Sequence, residues 1–568
     1  MVALLALVAS LLALSSQTAA VPVDASRTSI ADLKFPSIPS GAWWCEYSPP
    51  WIQEFLCSRS LSTSLSTSVS TPLGTAEGAV DTSGVVRFAV KYGSADRWQP
   101  SSVATVWALP YVLLPIFISS KLTFSKNDLD ASGYSEDCLS MILYVPSSVT
   151  PASNAPVLMW IHGGSFTSGS ATGAGLDGSA LATATGSIVA VIQYRLGALG
   201  FMAPNGQTNL AVKDTITALQ FLQTVALSFG GDASKITVDG QSSGANMIRA
   251  LLAAPSASSL FEYAILQSDP MDYGFLNTTM QSSLQNYFNQ QLSCSASDTS
   301  CLDSLSLDDI LTAQTSLSNN AYSTVPAAGQ SEPIRPVRDG DLITSPLDLT
   351  APFPSQSKTI MVTNVVDEAM FTIYSEFPSA ISASYYDDVV DGTFGSVSGS
   401  RLLSYSSYAP STTNADGTQD ARPQLSQMGT DQVWRCPTWT FARNWASSGG
   451  TAYVGMYTAG ASYPGNSDVP ECTDSGSVCH QDDIEIVFGT APSPTSAQAA
   501  LITEIQARYY QFLRTGNPNS GSYATWSATN GQAISALELG GSGTYAVGAC
   551  DPSQWGDAVP YDYQVYDI

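Results

Sequence analysis

The stretch Lys235 to Arg249, Lys-Ile-Thr-Val-Asp-Gly-Gln-Ser-Ser-Gly-Ala-Asn-Met-Ile-Arg, constrains the fold of this chain more than any other. Ile236 to Val238 has a β-branched strand pattern and the residues after Gly244 begin a helical one, so Gly-x-Ser-x-Gly must be a tight strand-to-helix corner with Ser242 at its tip. Such a corner pushes a serine hydroxyl out of the backbone, and Gly240 and Gly244 leave room for the chain to pass close on either side. The same corner aims a helix N-terminus at the hydroxyl, where its amides favour a developing negative charge. In a chain rich in Ser and Gly the pattern alone is weak; the flanking strand and helix mark Ser242 as a nucleophile.

Away from that corner, strand-like and helical segments alternate. Pro156 to Ile161, Ile188 to Tyr194, Tyr263 to Leu266 and Thr359 to Val362 read as buried strands, and Val212 to Phe229 as a helix with apolar residues at 212, 216, 219, 222 and 226. This alternation predicts an α/β fold with a largely parallel sheet. No period of 20 to 50 residues is visible, which argues against a solenoid or propeller.

Composition limits the partners. Only 12% of the 568 residues are charged, against a usual ~25%, while 44% are hydrophobic, as in a compact globular protein. The formal net charge of -26 repels phosphate backbones and anionic lipid surfaces, so nucleic-acid binding is not expected.

Val2 to Leu14 is an apolar run followed by small residues up to Ala20, so residues 1–20 read as a signal peptide and the mature chain begins near Val21. The run falls short of the roughly 20 residues that a membrane span needs. The expectation is a secreted protein, and nine cysteines suit an oxidising compartment. Residues 21–72 are irregular and end in a dense Ser/Thr run, which predicts a linker before a single catalytic domain over 73–568. Asn277-Thr278-Thr279 is a glycosylation sequon, which means a surface loop if it is used.

Ser242 needs a base, and the chain has only two histidines, His162 and His480. His162-Gly-Gly164 follows a strand, where glycines let successive N–H groups turn toward one point, as in an oxyanion hole. His162 belongs to that loop, so His480 is the expected base, and with an acid between it and Ser242 it completes the chain order serine, acid, histidine. The acid should stand on a loop at the carboxyl end of a strand; Asp367 and Glu368, just after Thr359 to Val362, both qualify.

Ser135-Glu-Asp-Cys-Leu139, Ile161-His-Gly-Gly-Ser-Phe166, Tyr194 to Phe201, Asn209 to Gly231, Gly240 to Gly244, Asp367-Glu368, His480 to Gly489 and Phe512 to Asn519 occur in one order across most of the chain. Together they resemble the type-B carboxylesterase/lipase family of α/β-hydrolases. The resemblance implies an α/β-hydrolase fold and a serine carboxylic-ester hydrolase with Ser242, Glu368 and His480 as its triad. It implies an oxyanion hole of the Gly163, Gly164 and Ser243 amides, Ser243 standing where the family usually has Ala. The expected substrate is a small-molecule or lipid ester; no cofactor, metal or stable membrane insertion is expected, and the oligomeric state is left open. An interfacial lipase or sterol esterase is the alternative within the enzyme class, and a non-catalytic binding or adhesion module the alternative outside it.

By the same resemblance Arg97 and Glu136 form an internal salt bridge and Cys294 pairs with Cys301. Cys472 and Cys479 could close a short loop before His480, with Cys436 and Cys550 also available. For Cys138 three expectations stand: a bond to Cys45, a bond to Cys57, or none. The apolar run Val106 to Ile118, broken by Pro110 and Pro115, lies where fungal lipases of the family carry a lid, and is expected either to pack into the domain or to form a flap over Ser242.

Overall fold

The computed structural model describes residues 67–109, 135–328, 332–348, 353–410, 413, 417–531, 533–566 and 568. The expected signal peptide, Cys45, Cys57 and the apolar run beyond Leu109 lie outside them.

A mixed sheet organises the molecule. In chain order its long strands are β1 (Val86–Lys91), β2 (Ser140–Val145), β3 (Ala155–Ile161), β4 (Ile188–Ile192), β5 (Gly231–Gln241), β6 (Tyr263–Gln267), β7 (Thr359–Val365) and β8 (Thr451–Tyr457). They lie side by side as β8-β7-β6-β5-β3-β4-β2-β1, and short strands extend both edges to twelve among the described residues. From β8 to β4 every pair is parallel, whereas β1, β2 and β4 pair antiparallel. The expected parallel sheet is therefore its centre, and an antiparallel edge lies upstream of it.

Side-chain alternation divides the core into two faces. Val157, Met159 and Ile161 of β3 point to one face with Leu219 and Leu222, while Leu158 and Trp160 point to the other with Phe488 and Phe512. Helices α1 (Leu210–Val225), α2 (Ser243–Leu252) and α3 (Cys436–Ser447) supply the first face, and α4 (Ser496–Thr515) the second. Each large apolar side chain buried there contributes roughly 1.5–3 kcal/mol against the entropy of ordering. The helix expected over 212–229 is α1, which starts two residues earlier; its last turn, Ala226–Phe229, tightens to 3₁₀ and ends at Gly230 with φ 85°. A capping box between Thr495 and Gln498 starts α4, and Gly516 ends it with φ 68°.

Two expectations need correction. The linker does not extend to 72, because Ser68–Thr71 pairs in register with Gly74–Glu77; Thr and Val in the alternating Ser-Val-Ser-Thr suit a strand edge once a hairpin partner follows. Asn277 is not in a surface loop: it ends a two-residue strand, and its side chain caps the following helix by accepting from the Met280 N–H at 2.9 Å.

Candidate active site

β5 lies between β3 and β6, so its carboxyl end opens at the centre of the parallel sheet, where open α/β sheets place their ligands. Ser242 follows its last residue with φ 59° and ψ −130°, a backbone conformation that non-glycine residues rarely adopt. The bond from its N–H to the Gln267 carbonyl, 2.9 Å, and the start of α2 behind it hold the strained turn. The flanking glycines are required by the approach of β3: a Cβ on Gly240 would stand 2.7 Å from the Ile161 carbonyl oxygen, and one on Gly244 only 2.1 Å from it.

The loop after β3 returns to the same point. Gly163 packs so closely on the corner that a Cβ there would be 2.9 Å from the Ser242 Cβ. Gly164 has φ 117°, and its carbonyl accepts from the N–H groups of Thr167 and Ser168 at 3.0 and 2.9 Å, fixing a turn in which Ser165 and Phe166 also have positive φ. Ser243 is the first residue of α2, where helical geometry leaves the N–H without an intrahelical partner. His162 is buried, stacked on Tyr194 with ring centroids 4.7 Å apart, and its Nδ1 lies 2.8 Å from the Gly163 carbonyl oxygen. Burial pushes its pKa down to about 4, so it stays neutral and shapes the loop.

His480 arrives from a different loop. Its Nδ1 is 2.6 Å from Glu368 Oε2, and Glu368 is held in turn by the Val365 N–H at 3.0 Å. Asp367 points elsewhere, accepting from the Val478 N–H at 2.9 Å, so of the two adjacent acids Glu368 is the one beside the imidazole. Burial disfavours the His480 cation, but the hydrogen bond and charge of Glu368, with the charges of Asp483 and Glu332, outweigh it and hold the pKa above the ordinary 6.5.

The histidine loop is clamped along its length. The Cys472–Cys479 disulfide closes it, and Asp482 accepts from the N–H groups of Cys479 and Tyr463 and from Asn466 Nδ2, each at 2.7 Å. Asn466 also donates to the His480 carbonyl oxygen at 2.9 Å. Asp483, fully buried, has no hydrogen-bond partner for either carboxyl oxygen among the described residues, and burial pushes its pKa up to about 8. Sequence reasoning missed Asp482 and Asn466 as supports; the signal was Asp482 two residues past the only histidine outside the glycine loop.

Arg97 and Glu136 form the expected ion pair, with Nε to Oε2 at 2.9 Å, and Arg97 also donates to the Leu305 carbonyl oxygen. Cys294–Cys301 is formed, and so is Cys436–Cys550, a pairing the sequence left open. Cys138 is buried in the core next to β2.

The Carboxylesterase family matches residues 114–548, and the chain belongs to that family. The cAMP-regulated D2 protein of Dictyostelium discoideum is 31% identical over 400 residues, covering 68% of this chain and 71% of the relative. Acetylcholinesterase of Bungarus fasciatus is 28% identical over 440 residues, covering 71% and 68%. Among solved structures, a PNB esterase superposes with a TM-score of 0.64 at 22% identity, over 83% of this chain and 95% of that one, which establishes a shared α/β-hydrolase fold. The family and its esterase relatives support carboxylic-ester hydrolysis. No helix among the described residues is long and apolar enough to cross a membrane.

Proposed function

We propose that this protein is a secreted carboxylic-ester hydrolase working through an acyl-enzyme on Ser242. His480 takes the serine proton at Nε2 as Oγ attacks the ester carbonyl, Glu368 holds the imidazole and stabilises its cation, and the amides of Gly163, Gly164 and Ser243 receive the oxyanion. Collapse of the tetrahedral intermediate expels the alcohol, which takes the proton from His480; a water activated at the same nitrogen then releases the acid. The observation that carries this reading is the 2.6 Å contact between His480 Nδ1 and Glu368 Oε2, beside a strained serine corner that the glycine loop packs against. A carboxylate on Nδ1 fixes the tautomer whose Nε2 can accept a proton.

The test uses enzyme recovered from culture medium, whose N-terminus should lie near Val21. Aryl esters of graded acyl length are assayed with the native chain, Ser242→Ala and His480→Ala. Each substitution should lower kcat by about 10⁴-fold or more with the melting temperature nearly unchanged. Turnover within tenfold of the native chain in either folded variant would refute the assignment.

A further inference from the structure

Gln241 is the last residue of β5, immediately before Ser242, and it is fully buried. Its backbone is fixed by the parallel ladder to Gln267. Its carboxamide is wedged between two parts of the site: Nε2 is 3.2 Å from His480 Nε2, and Oε1 is 3.1 Å from where a Cβ on Gly163 would stand. Oε1 has no hydrogen-bond partner among the described residues.

Because Glu368 accepts at Nδ1, the neutral ring of His480 carries its proton there and presents a lone pair at Nε2. The group facing that lone pair is the amide nitrogen of Gln241, which can only donate. We infer that Gln241 is a positioning residue: its N–H donates to Nε2 of neutral His480, holding the ring between Gln241 and Glu368 in the unprotonated form. This rests on the reading of His480 as the base.

The consequence is a bias on protonation. A protonated Nε2 would present its own N–H to the amide N–H, so the contact exists only with the neutral ring. It therefore opposes the acidic groups that favour the cation. Those are Glu368 after β7, Glu332 in the segment before Arg335, and Asp482 and Asp483 in the histidine's own loop. Trp434, with its ring 5.5 Å from the imidazole, adds no charge. Gln241 thus extends the working range of the base toward acid pH. The lone pair accepts one donor at a time, so the Gln241 N–H gives up its hydrogen bond as the Ser242 hydroxyl takes its place, and the plateau rate depends on that neutral contact weakly.

The experiment compares the full-length native chain with Gln241→Met, which keeps the length and removes the donor, and Gln241→Glu, which keeps the shape and puts an acceptor in its place. The chain has only two histidines, and His162 titrates near pH 4, so ¹⁵N-histidine spectra between pH 5 and 9 follow His480 alone. In Gln241→Met its midpoint should rise by about half a unit to one unit, the size of one neutral hydrogen bond, and in Gln241→Glu by more. The acid limb of kcat/KM should move with it, while the high-pH plateau stays within a few-fold. An unchanged or lowered midpoint in the folded variants overturns the inference, and so does a limb that moves without the midpoint. If Gln241→Met does not fold, Gln241→Leu, which also removes the donor and adds no charge, decides by the same criterion. Spectra need no turnover, so a midpoint that moves while the limb does not would leave the Gln241 contact standing and count against His480 as the base.

Discussion

At the scale of single residues, the corner is set by what cannot be added to it. Gly244→Ala would push a Cβ to 2.1 Å from the Ile161 carbonyl oxygen and 2.8 Å from that of His162, both backbone atoms unable to move aside. It should lower stability well beyond the ~1 kcal/mol typical of point substitutions, read as a shifted denaturant midpoint. Gly392→Ala meets nothing within 4 Å inside the helix Ala383–Ser404 and should be neutral or slightly stabilising. The adjacent acids divide just as sharply. Glu368→Gln removes the carboxylate at His480 Nδ1 and should cost about 10³–10⁴-fold in kcat, whereas Asp367→Asn keeps an acceptor for the Val478 N–H and should cost only a few-fold. In the native enzyme kcat/KM should fall with acid along a limb centred above pH 6.5, because His480 must be neutral to act and its pKa is held above that value. A limb centred below 6.5 would contradict that balance of charges.

At the scale of elements, the histidine loop is as deliberately built as the serine corner. Asp482→Asn leaves one acceptor oxygen for three donors and turns an amide N–H₂ toward the others. It should destabilise by about 1–3 kcal/mol and lower kcat more than it changes KM, which steady-state kinetics and chemical denaturation would separate. The legibility of the sequence differs between these two elements for a physical reason. The serine corner announces itself because backbone geometry forces glycine at fixed positions on both sides, and the central strands announce themselves because burial on both faces makes them continuous apolar runs. The Gln241 contact with His480 and the Cys436–Cys550 bond join segments far apart in sequence, so no local pattern encodes them. The antiparallel strands β1 and β2 were illegible for another reason: which edge a strand joins depends on pairing, not on its own residues. The choice between Asp367 and Glu368 likewise needed the position of His480 in space.

At the scale of the whole molecule, buried acids dominate the response to pH. Burial pushes Asp239 and Asp482 up to about 7, Asp483 to about 8 and Asp562 to about 6, all above the ordinary 3.8. Groups raised in the folded state stabilise it fully below the unfolded value, and that contribution is lost progressively as pH rises from there through the folded values of about 6 to 8. His162 has the opposite sign: lowered to about 4, it stabilises the fold above 6.5, and its contribution is lost as pH falls toward 4. The melting temperature should therefore decline as pH rises from about 5 to 8, while activity is still rising. Asp483→Asn should flatten that decline, and calorimetry across pH 4.5 to 8.5 would show it; a native melting temperature that climbs through that range would contradict the assignment. The same molecule also carries a constraint on the order in which it is made. Cys294–Cys301 and Cys472–Cys479 join residues 7 apart and can close soon after those segments leave the ribosome, but Cys436–Cys550 joins residues 114 apart. Later still in the chain, the Asp562 N–H donates to the buried Asp272 beyond β6 at 2.8 Å. Folding during synthesis can thus close the histidine loop before Cys550 exists, and α3 is tied to the segment around Cys550 only afterwards.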